Sequence, residues 1–286
     1  MEKLTDQILK EVITPRPENS FKGTFGKVTL VGGNRNFGGA IIMASMAAVC
    51  AGAGLVTTAT DESNSSALHS QLPEAMFADF TNSEQVASLI HAATSVVVGP
   101  GLGDDEISLQ ILKNVFANTS DQQNVIIDGS AITLMAREGI DQPLGNIIYT
   151  PHEMEWQRLS GIKIGEQTAE KNKAVQEKLG ATVVLKKHHT EIYTNDQIYQ
   201  LPIGTPAQAV GGMGDTLAGM VGGFTAEFND KADKAVLAAV YAHSAIAEKI
   251  AESQYIVLPH QISRALPTFM KKMEKLDDDH HIGFLN

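Results

Sequence analysis

A short run of β-branched apolar residues, a glycine turn and a helical stretch recur in this order along most of the chain. The apolar runs are residues 28–31, 55–60, 95–99, 124–128, 146–150 and 182–186. Uninterrupted apolar runs of this length, separated by helices, are typical of parallel strands that helices cover on both faces. The pattern predicts an α/β fold of three layers, αβα, with a mostly parallel central sheet.

The segment EIYTNDQIYQ, residues 191–200, departs from this pattern because apolar and polar residues alternate around Asn195-Asp196. Alternation on both sides of such a turn predicts a β-hairpin. Beyond it the chain is predicted to be helical over 215–228, 231–253 and 262–276, followed by a charged tail, DDDHH. No long linker, repeat or low-complexity segment is visible, so we expect residues 1–286 to form a single domain.

Composition excludes several classes of protein. The 286 residues carry 22 Lys and Arg against 33 Asp and Glu, a net charge of −11, with 6% aromatics and no basic cluster. This balance does not suit nucleic-acid binding.

No apolar run approaches the ~18 residues that span a bilayer, and the first residues lack the apolar segment of a signal peptide. A lone cysteine, Cys50, fits a reducing compartment. We therefore expect a cytoplasmic protein without nucleic-acid or membrane partners.

The most informative segment is GGMGDTLAG, residues 211–219. Glycines let the backbone approach a ligand closely, and the helix that begins here directs free N–H groups at whatever lies before it. Such a helix end suits a phosphate group. An aspartate so close to phosphate makes chemical sense if Asp215 takes a proton from a hydroxyl that attacks a phosphoryl group. Capping of the helix by Asp215 is the alternative that the sequence leaves open.

Two further glycine-rich turns follow predicted strands. GPGLG at 99–103 has the wrong spacing for a dinucleotide fingerprint, and alone it is typical of an ordinary tight turn. GGNRNFGGA at 32–40 lacks the GK[ST] ending of a P-loop, which excludes a P-loop nucleotide site. In such sheets ligands bind beyond the carboxyl ends of the strands. The two turns and residues 211–215 therefore predict one binding site at that edge.

Two more strand ends carry polar residues. In TPHEME, His152 is a candidate hydrogen-bonding group and Glu155 a candidate for positioning a metal-bound phosphate; a simple acidic first helical turn is the alternative. In KKHHT, residues 186–190, the two lysine cations could neutralise the charge of phosphate groups. The alternative is that these residues form a turn exposed to solvent. Successive side chains of an extended chain point to opposite sides. We therefore predict that His188 and His189 do not share a metal ion.

Six segments, in order along the chain, resemble the ADP- or ATP-dependent NAD(P)H-hydrate dehydratases, a branch of the ribokinase-like superfamily. They are VTLVGGNRNFGGA with the following CAGAGLVT, VVVGPGLG, VIIDGSAI, YTPHEMEWQRL, TVVLKKHHT and GGMGDTLAG. Six ordered matches over nearly the whole chain are far more specific than any single glycine motif. The ribokinase-like fold of that family agrees with the αβα layers predicted above.

The resemblance implies a repair reaction on hydrated NADH or NADPH (NADHX, NADPHX), in which water has added to the nicotinamide ring. The family phosphorylates the ring hydroxyl of the S-epimer from an adenine nucleotide and then eliminates phosphate, which restores NAD(P)H and leaves AMP when ADP is the donor. ADP is the expected donor, with ATP less favoured, and Mg²⁺ is expected to bridge the phosphates. Phosphate leaves more readily than hydroxide, so a kinase step serves a net dehydration.

Carried over position by position, the resemblance assigns roles to residues of this chain. Asp215 is the expected general base. The positions that match contacts to the hydrate are Ala40, Gly103, His152 and Asp215. The positions that match the nucleotide site are Lys186, Lys187, His188, His189, Thr190 and Gly214. The expected anion hole consists of Gly211, Gly212 and Gly214, and the candidates for positioning metal or phosphate are Asp128 and Glu155.

The chain departs from the family pattern at four places. Met213 stands where Ser or Thr is common, and we expect backbone N–H groups to suffice there. Ser130 replaces the second Asp of a DADAL segment, which implies weaker metal binding if that Asp helps to hold metal. Phe37 replaces a frequent Tyr, and Glu153-Met154 replaces Pro-Gly without moving His152 and Glu155 out of register.

Two other functions remain open from the sequence. A ribokinase-like kinase that phosphorylates a small alcohol, sugar or vitamin precursor shares the hydroxyl-activating step, and a non-catalytic nucleotide sensor would keep the fold. The segments GGNRNFGGA and TPHEME favour the dehydratase, and the intact GGMGD turn argues against the sensor. The family also suggests a homo-oligomer. Because the chain leaves no room for a second domain, we expect the companion NAD(P)HX epimerase to be a separate protein.

Overall fold

The structure, a computed structural model, describes residues 1–275. These residues form ten strands and eleven α-helices. The strands are β1 (Glu2–Lys3), β2 (Lys27–Val31), β3 (Leu55–Thr60), β4 (Met76–Asp79), β5 (Ser95–Val98), β6 (Asn124–Ile127), β7 (Asn146–Tyr149), β8 (Thr182–Leu185), β9 (Glu191–Tyr193) and β10 (Ile198–Gln200). The helices are α1 (Gln7–Val12), α2 (Gly38–Cys50), α3 (Ser65–Gln71), α4 (Ser83–His91), α5 (Glu106–Ala117), α6 (Gly129–Glu138), α7 (Glu153–Ser160), α8 (Ala169–Leu179), α9 (Met213–Glu227), α10 (Ala232–Ala251) and α11 (Pro259–Lys275).

All ten strands lie in one sheet, in the order β1-β10-β9-β8-β7-β6-β5-β2-β3-β4. Neighbouring strands from β8 to β4 are parallel, and β9 pairs antiparallel with both β8 and β10. The predicted mostly parallel sheet and the hairpin at 191–200 are confirmed. The strands β1 and β4, of two and four residues at the two edges of the sheet, were not predicted because they are too short to show an apolar run.

Alternate residues of the central strands pack into two separate apolar cores. In β6, Ile126 joins the core beneath α2, α9 and α10, whereas Val125 and Ile127 join the core beneath α5, α6 and α7. All three side chains are fully buried. Burial on both faces explains why these strands appear in the sequence as continuous apolar runs, and it confirms the αβα layers.

The helices α2 and α9 pack side by side on one face of the sheet. Gly212, just before α9, lies against Met43 of α2, and Gly223 lies against Ala48 further along both helices. The two helices therefore run in the same direction, which places the loops before them next to each other at the carboxyl edge of the strands.

The three predicted C-terminal helices are observed as α9, α10 and α11, with boundaries that differ by one to three residues where the structure describes them. The last residue of the predicted helix 262–276 and the predicted charged tail at 277–281 lie outside the described residues. Within residues 1–275, no helix combines the length and the apolar character needed to cross a membrane.

Candidate active site

The two glycine-rich turns at 32–40 and 99–103 form one continuous structure. The Gly33 N–H donates to Pro100 O at 2.8 Å, and the Asn34 N–H donates to Gly101 O at 2.7 Å. Ala40 lies against Gly101. The two turns therefore meet at the carboxyl edge of the sheet, as the sequence predicts.

The loop at Gly103 is supported by the residue that departs from the family pattern. The Gly103 N–H donates to Ser130 Oγ at 3.2 Å. A serine at 130 thus makes a neutral contact to the loop that contains one of the expected hydrate-binding positions.

The first turn of α9 depends on a left-handed residue. Gly212 precedes the helix with φ of +94°, and a β-carbon there would clash with the Met43 side chain. The Thr216 N–H donates to Gly212 O at 3.0 Å, so the N–H groups of residues 213–215 precede the first bond within the helix. Those of Met213 and Gly214 are available to a ligand. Gly212 occupies the cap position of α9, and Asp215 lies three residues further on, in its first turn.

We expect Gly212→Ala to lower the free energy of unfolding by about 1–3 kcal/mol, because an L-residue at this φ is strained and its β-carbon meets Met43. Gly211→Ala is the matched control, since nothing lies within 4 Å of a β-carbon at that position. Urea unfolding of both variants checks the prediction. An equal loss in the two would show that the left-handed turn is not what Gly212 supplies.

A buried ion pair joins the ends of β6 and β8 beside this helix end. Lys186 Nζ lies 2.7 Å from Asp128 Oδ1, and the Thr150 hydroxyl donates to the same oxygen at 2.6 Å. A β-carbon at Gly214 would lie 3.0 Å from Lys186 Nζ. Glycine at 214 therefore leaves room for the ammonium group directly against the first turn of α9.

The charges of this cluster act on Asp215. Burial and the Asp128 carboxylate raise the pKa of Asp215 to about 6, although the Lys186 ammonium opposes the rise. Burial and Asp128 likewise raise the pKa of Glu155. Burial disfavours the charged form of Lys186, but the Asp128 and Glu155 carboxylates outweigh it and raise the pKa of Lys186. The cluster therefore keeps a lysine cation next to a carboxylate that changes protonation near neutral pH.

His152 and Glu155 cap α7 reciprocally. His152 Nδ1 accepts from the backbone N–H groups of Met154 and Glu155 at 3.1 and 3.2 Å, and Glu155 Oε2 accepts from the His152 N–H at 2.8 Å. The alternative interpretation of TPHEME, that these residues begin a helix, is therefore confirmed. The same bonds fix the orientation of the imidazole, whose side chain is 51% exposed at the mouth of the cavity described next.

A cavity of about 760 Å³ opens beside α9 and α10. It is lined by every residue that the family resemblance assigns to the nucleotide site. The lining residues include Lys186, Lys187, His188, His189, Thr190, Leu201, Ile203, Pro206, Gln208, Met213, Gly214, Leu217, Val240, His243 and Ser244, together with His152 at one side. The wall contains apolar side chains, which suit a nucleotide base, and also cations and the first turn of α9, which suit its phosphates.

The prediction that His188 and His189 point in opposite directions is wrong. Their ring centroids lie 4.0 Å apart with the rings tilted by 57°. The reason is that His189 has φ of +58°, a left-handed conformation, so the chain is not extended there.

Gln208 and His243 also line the cavity, and no sequence pattern indicates either residue. Gln208 lies in a short 3₁₀ turn, Pro206–Gln208, that follows no predicted strand. His243 lies in the middle of α10, in a stretch that otherwise shows only an apolar pattern.

The described residues do not form a metal-binding cluster of their own. Within residues 1–275 no group of three His, Cys, Asp or Glu side chains is arranged to hold a metal ion. Asp128 is bonded to Lys186 and Thr150, and Glu155 is bonded to His152. A cation here would have to take most of its ligands from phosphate and water, which is the usual situation for Mg²⁺.

Comparison with known proteins identifies the family of this chain. A family model described as NAD(P)H-hydrate dehydratase matches residues 28–268. An ADP-dependent (S)-NAD(P)H-hydrate dehydratase of Lactiplantibacillus plantarum is 50% identical over 277 residues, covering 97% of this chain and 99% of the relative. A ribokinase-like superfamily protein from Enterococcus faecalis has a TM-score of 0.93 at 46% identity, covering 96% of both chains.

A more distant solved structure has the same fold. The ADP/ATP-dependent NAD(P)H-hydrate dehydratase of Bacillus subtilis, co-crystallised with ATP and Mg²⁺, has a TM-score of 0.85 at 30% identity, covering 96% of this chain and 99% of that one. With the family match extending over most of its length, this chain belongs to the NAD(P)H-hydrate dehydratase family.

Proposed function

We propose that this protein is an ADP-dependent (S)-NAD(P)H-hydrate dehydratase, which returns the S-epimer of NADHX or NADPHX to NADH or NADPH. The observation that carries the proposal is the position of Asp215. Its carboxyl group, with a pKa near 6, lies in the first turn of α9 under the influence of the Lys186 ammonium, and the preceding residue, Gly214, lines a nucleotide-sized cavity. Relatives of nearly the same length carry this activity in their names.

In the first step, Asp215 takes the proton of the ring hydroxyl, and the hydroxyl oxygen forms a bond to the terminal phosphorus of ADP. The bond from that phosphorus to the AMP oxygen breaks. The N–H groups around Gly211, Gly212 and Gly214 and the Lys186 ammonium stabilise the charge on the transferred group.

In the second step, the lone pair of the ring nitrogen expels phosphate, so that the carbon–oxygen bond breaks. Loss of a proton from the neighbouring carbon restores the double bond of the dihydronicotinamide. Ala40, Gly103 and His152 hold the hydrate, and Lys186, Lys187, His188, His189 and Thr190 hold the nucleotide.

Mg²⁺ accompanies the nucleotide in this proposal, and Asp128 or Glu155 would help to hold it. When bound, it neutralises phosphate charge. ATP is the alternative donor.

Three further proposals concern the setting of the reaction. Water that adds to a planar ring without an enzyme can attack either face, so a dehydratase selective for one epimer needs an epimerase, here a separate protein. We place the protein in the cytoplasm, where the cofactors it repairs are used. The exposed apolar side chains Tyr255, Ile256 and Leu258 are candidates for the contact of a homo-oligomer.

Product analysis separates the dehydratase from a ribokinase-like kinase of small alcohols. With ADP, Mg²⁺ and hydrated NADH, phosphorus NMR should show AMP and inorganic phosphate forming in equal amounts. A stable phosphate ester of a small alcohol, formed without inorganic phosphate, would support the kinase and overturn the proposal.

The rate should depend on the protonation of Asp215. Because the base must be ionised and its pKa is raised to about 6, kcat/KM should fall about tenfold per pH unit below pH 6 and stay level above it. A pH profile at saturating ADP checks this. An acid limb centred near pH 4, the ordinary range of an aspartate, would contradict the raised pKa.

A further inference from the structure

A salt bridge spans the loop that carries the two histidines of the nucleotide cavity. Lys187 Nζ lies 2.9 Å from Glu191 Oε1, four residues further along the chain. The two side chains are 23% and 9% exposed, so most of the pair is shielded from solvent. Residues 187–190 line the cavity, whereas Glu191 does not. Glu191 is therefore placed to act on a nucleotide through the loop and not by contact.

The carboxylate of Glu191 is held by a chain of buried polar groups. The Tyr193 hydroxyl donates to Glu191 Oε2, and Asn172 Nδ2 donates to the Tyr193 oxygen at 3.0 Å. Trp156 Nε1 in turn donates to Asn172 Oδ1 at 2.8 Å, and all three of these residues are fully buried. Burial and the hydrogen bond to Glu191 raise the pKa of Tyr193, so its hydroxyl stays protonated and continues to donate. The chain fixes one end of the salt bridge in the core.

The loop contains a backbone conformation that needs support. His189, near its centre, has φ of +58°, which costs free energy for a residue other than glycine and persists where surrounding contacts enforce it. The Lys187–Glu191 pair supplies such a contact, because it joins the residues on either side of His189. The Leu201 N–H donates to Thr190 O at 2.8 Å and fixes the end of the loop to the chain that follows β10.

The salt bridge lies on the face of the sheet away from the phosphate end of the cavity. Glu191 and Tyr193 are two residues apart in β9, so their side chains lie on the same face. Tyr193 belongs to the core beneath α5, α6 and α7, whereas α9 covers the other face. Lys186, which lies against Gly214, is on the α9 side. The Lys187 ammonium is instead directed towards Glu191, where it holds the loop.

We propose that Lys187 and Glu191 form a clip that keeps residues 188–190 in the shape that binds the adenine nucleotide. Glu191 is then a positioning residue of the nucleotide site, and Lys187 contributes to binding through the loop and not as a phosphate ligand. This inference rests on the proposed use of an adenine nucleotide, but not on the hydrate as substrate.

The test is a double-mutant cycle of Lys187→Met and Glu191→Met, with ADP binding measured by calorimetry with Mg²⁺ and without hydrate. We expect the Kd for ADP to rise about three- to tenfold in each single variant and no further in the double variant, because either change opens the same clip. Glu191→Gln keeps an acceptor oxygen for Lys187 and should restore most of the affinity. Glu177→Gln, which removes the partner of Lys173 from an exposed pair of the same spacing, is the control and should leave the Kd unchanged.

The sign and the phosphate dependence separate a clip from a charge effect. Removal of a carboxylate near the cavity would by charge alone tighten the binding of anionic ADP, whereas an opened clip weakens it. For the same reason the Kd for AMP should rise by the same factor as the Kd for ADP in Lys187→Met. A factor that grows with the number of phosphates would make Lys187 a phosphate ligand and overturn the inference.

Thermal melts without nucleotide distinguish the clip from general structural support. The double variant replaces a buried ion pair by apolar side chains and should melt close to the wild-type temperature while its ADP affinity stays low. A melting temperature that falls in proportion to the affinity overturns the inference, as do additive losses in the cycle, unchanged affinity in Glu191→Met, or a wild-type protein that binds no ADP. If the affinities change as expected but hydrate is not repaired, the clip stands and the proposed function fails.

Discussion

Asp215→Asn is expected to lower turnover about 10²-fold or more while ADP and hydrate still bind with near wild-type affinity. Asparagine keeps the shape of the side chain in the first turn of α9 but cannot take the hydroxyl proton. Single-turnover rates and equilibrium binding check the two halves of this prediction. Near-normal turnover would remove the general-base role.

The same substitution should stabilise the protein. The pKa of Asp215 in the folded state, about 6, lies above its ordinary value of 3.8, so ionisation costs stability progressively between these values and fully above pH 6. At pH 7.5 we expect Asp215→Asn to raise the free energy of unfolding by about 1–2 kcal/mol, allowing for solvent screening of a half-buried group. Glu153→Gln, which removes one charge from the first turn of α7 outside the cluster, is the control and should change neither rate nor stability.

Lys186→Met should have the second largest effect, because Lys186 is the cation that lies against Gly214 and Asp215. A hydrogen bond to a charged group contributes about 1.5–3 kcal/mol, so we expect kcat/KM for ADP to fall about 10- to 100-fold. Lys186 also lowers the pKa of Asp215, and its removal should move the acid limb of the pH profile above pH 6. Lys171→Met, which breaks only the exposed pair with Glu166, controls for the loss of a lysine.

Loss of Lys186 leaves the buried Asp128 carboxylate without its ion-pair partner, which is costly in itself. The double variant Lys186→Met with Asp128→Asn removes that uncompensated charge. If activity returns to the wild-type level in this double variant, Lys186 serves only to stabilise the fold and the proposed contact with phosphate is wrong. Because Asp128 is also a candidate for holding Mg²⁺, retained low activity in a stable double variant supports the contact when Asp128→Asn alone stays active.

The parts of the site that follow a strand were predictable from the sequence. Runs such as VIID and TVVLK are long enough to identify strands, and parallel strands bring their carboxyl ends to one edge. The glycine turns at 32–40, 99–103 and 211–215 therefore lie at the carboxyl edge of the sheet, as the order of strands and turns in the sequence indicates.

Contacts that depend on which strands and helices become neighbours were not predictable. The Asp128–Lys186 pair joins residues 58 positions apart, and its existence requires β6, β7 and β8 to be adjacent in that order. The approach of Gln208 to His243 depends on how α10 packs, and the close approach of the tilted His188 and His189 rings depends on one left-handed residue. A pattern of residue types carries no information about these distances.

Recovery of the dihydronicotinamide absorbance tests the central claim most directly. Chemically prepared hydrated NADH is mixed with the protein and Mg²⁺, and with ADP, ATP or no nucleotide, while the near-ultraviolet absorbance of NADH is followed. The account predicts that absorbance returns only with a nucleotide, fastest with ADP, and does not return with Asp215→Asn. No recovery with either nucleotide would contradict the account, and recovery without nucleotide would show that no phosphoryl transfer is involved.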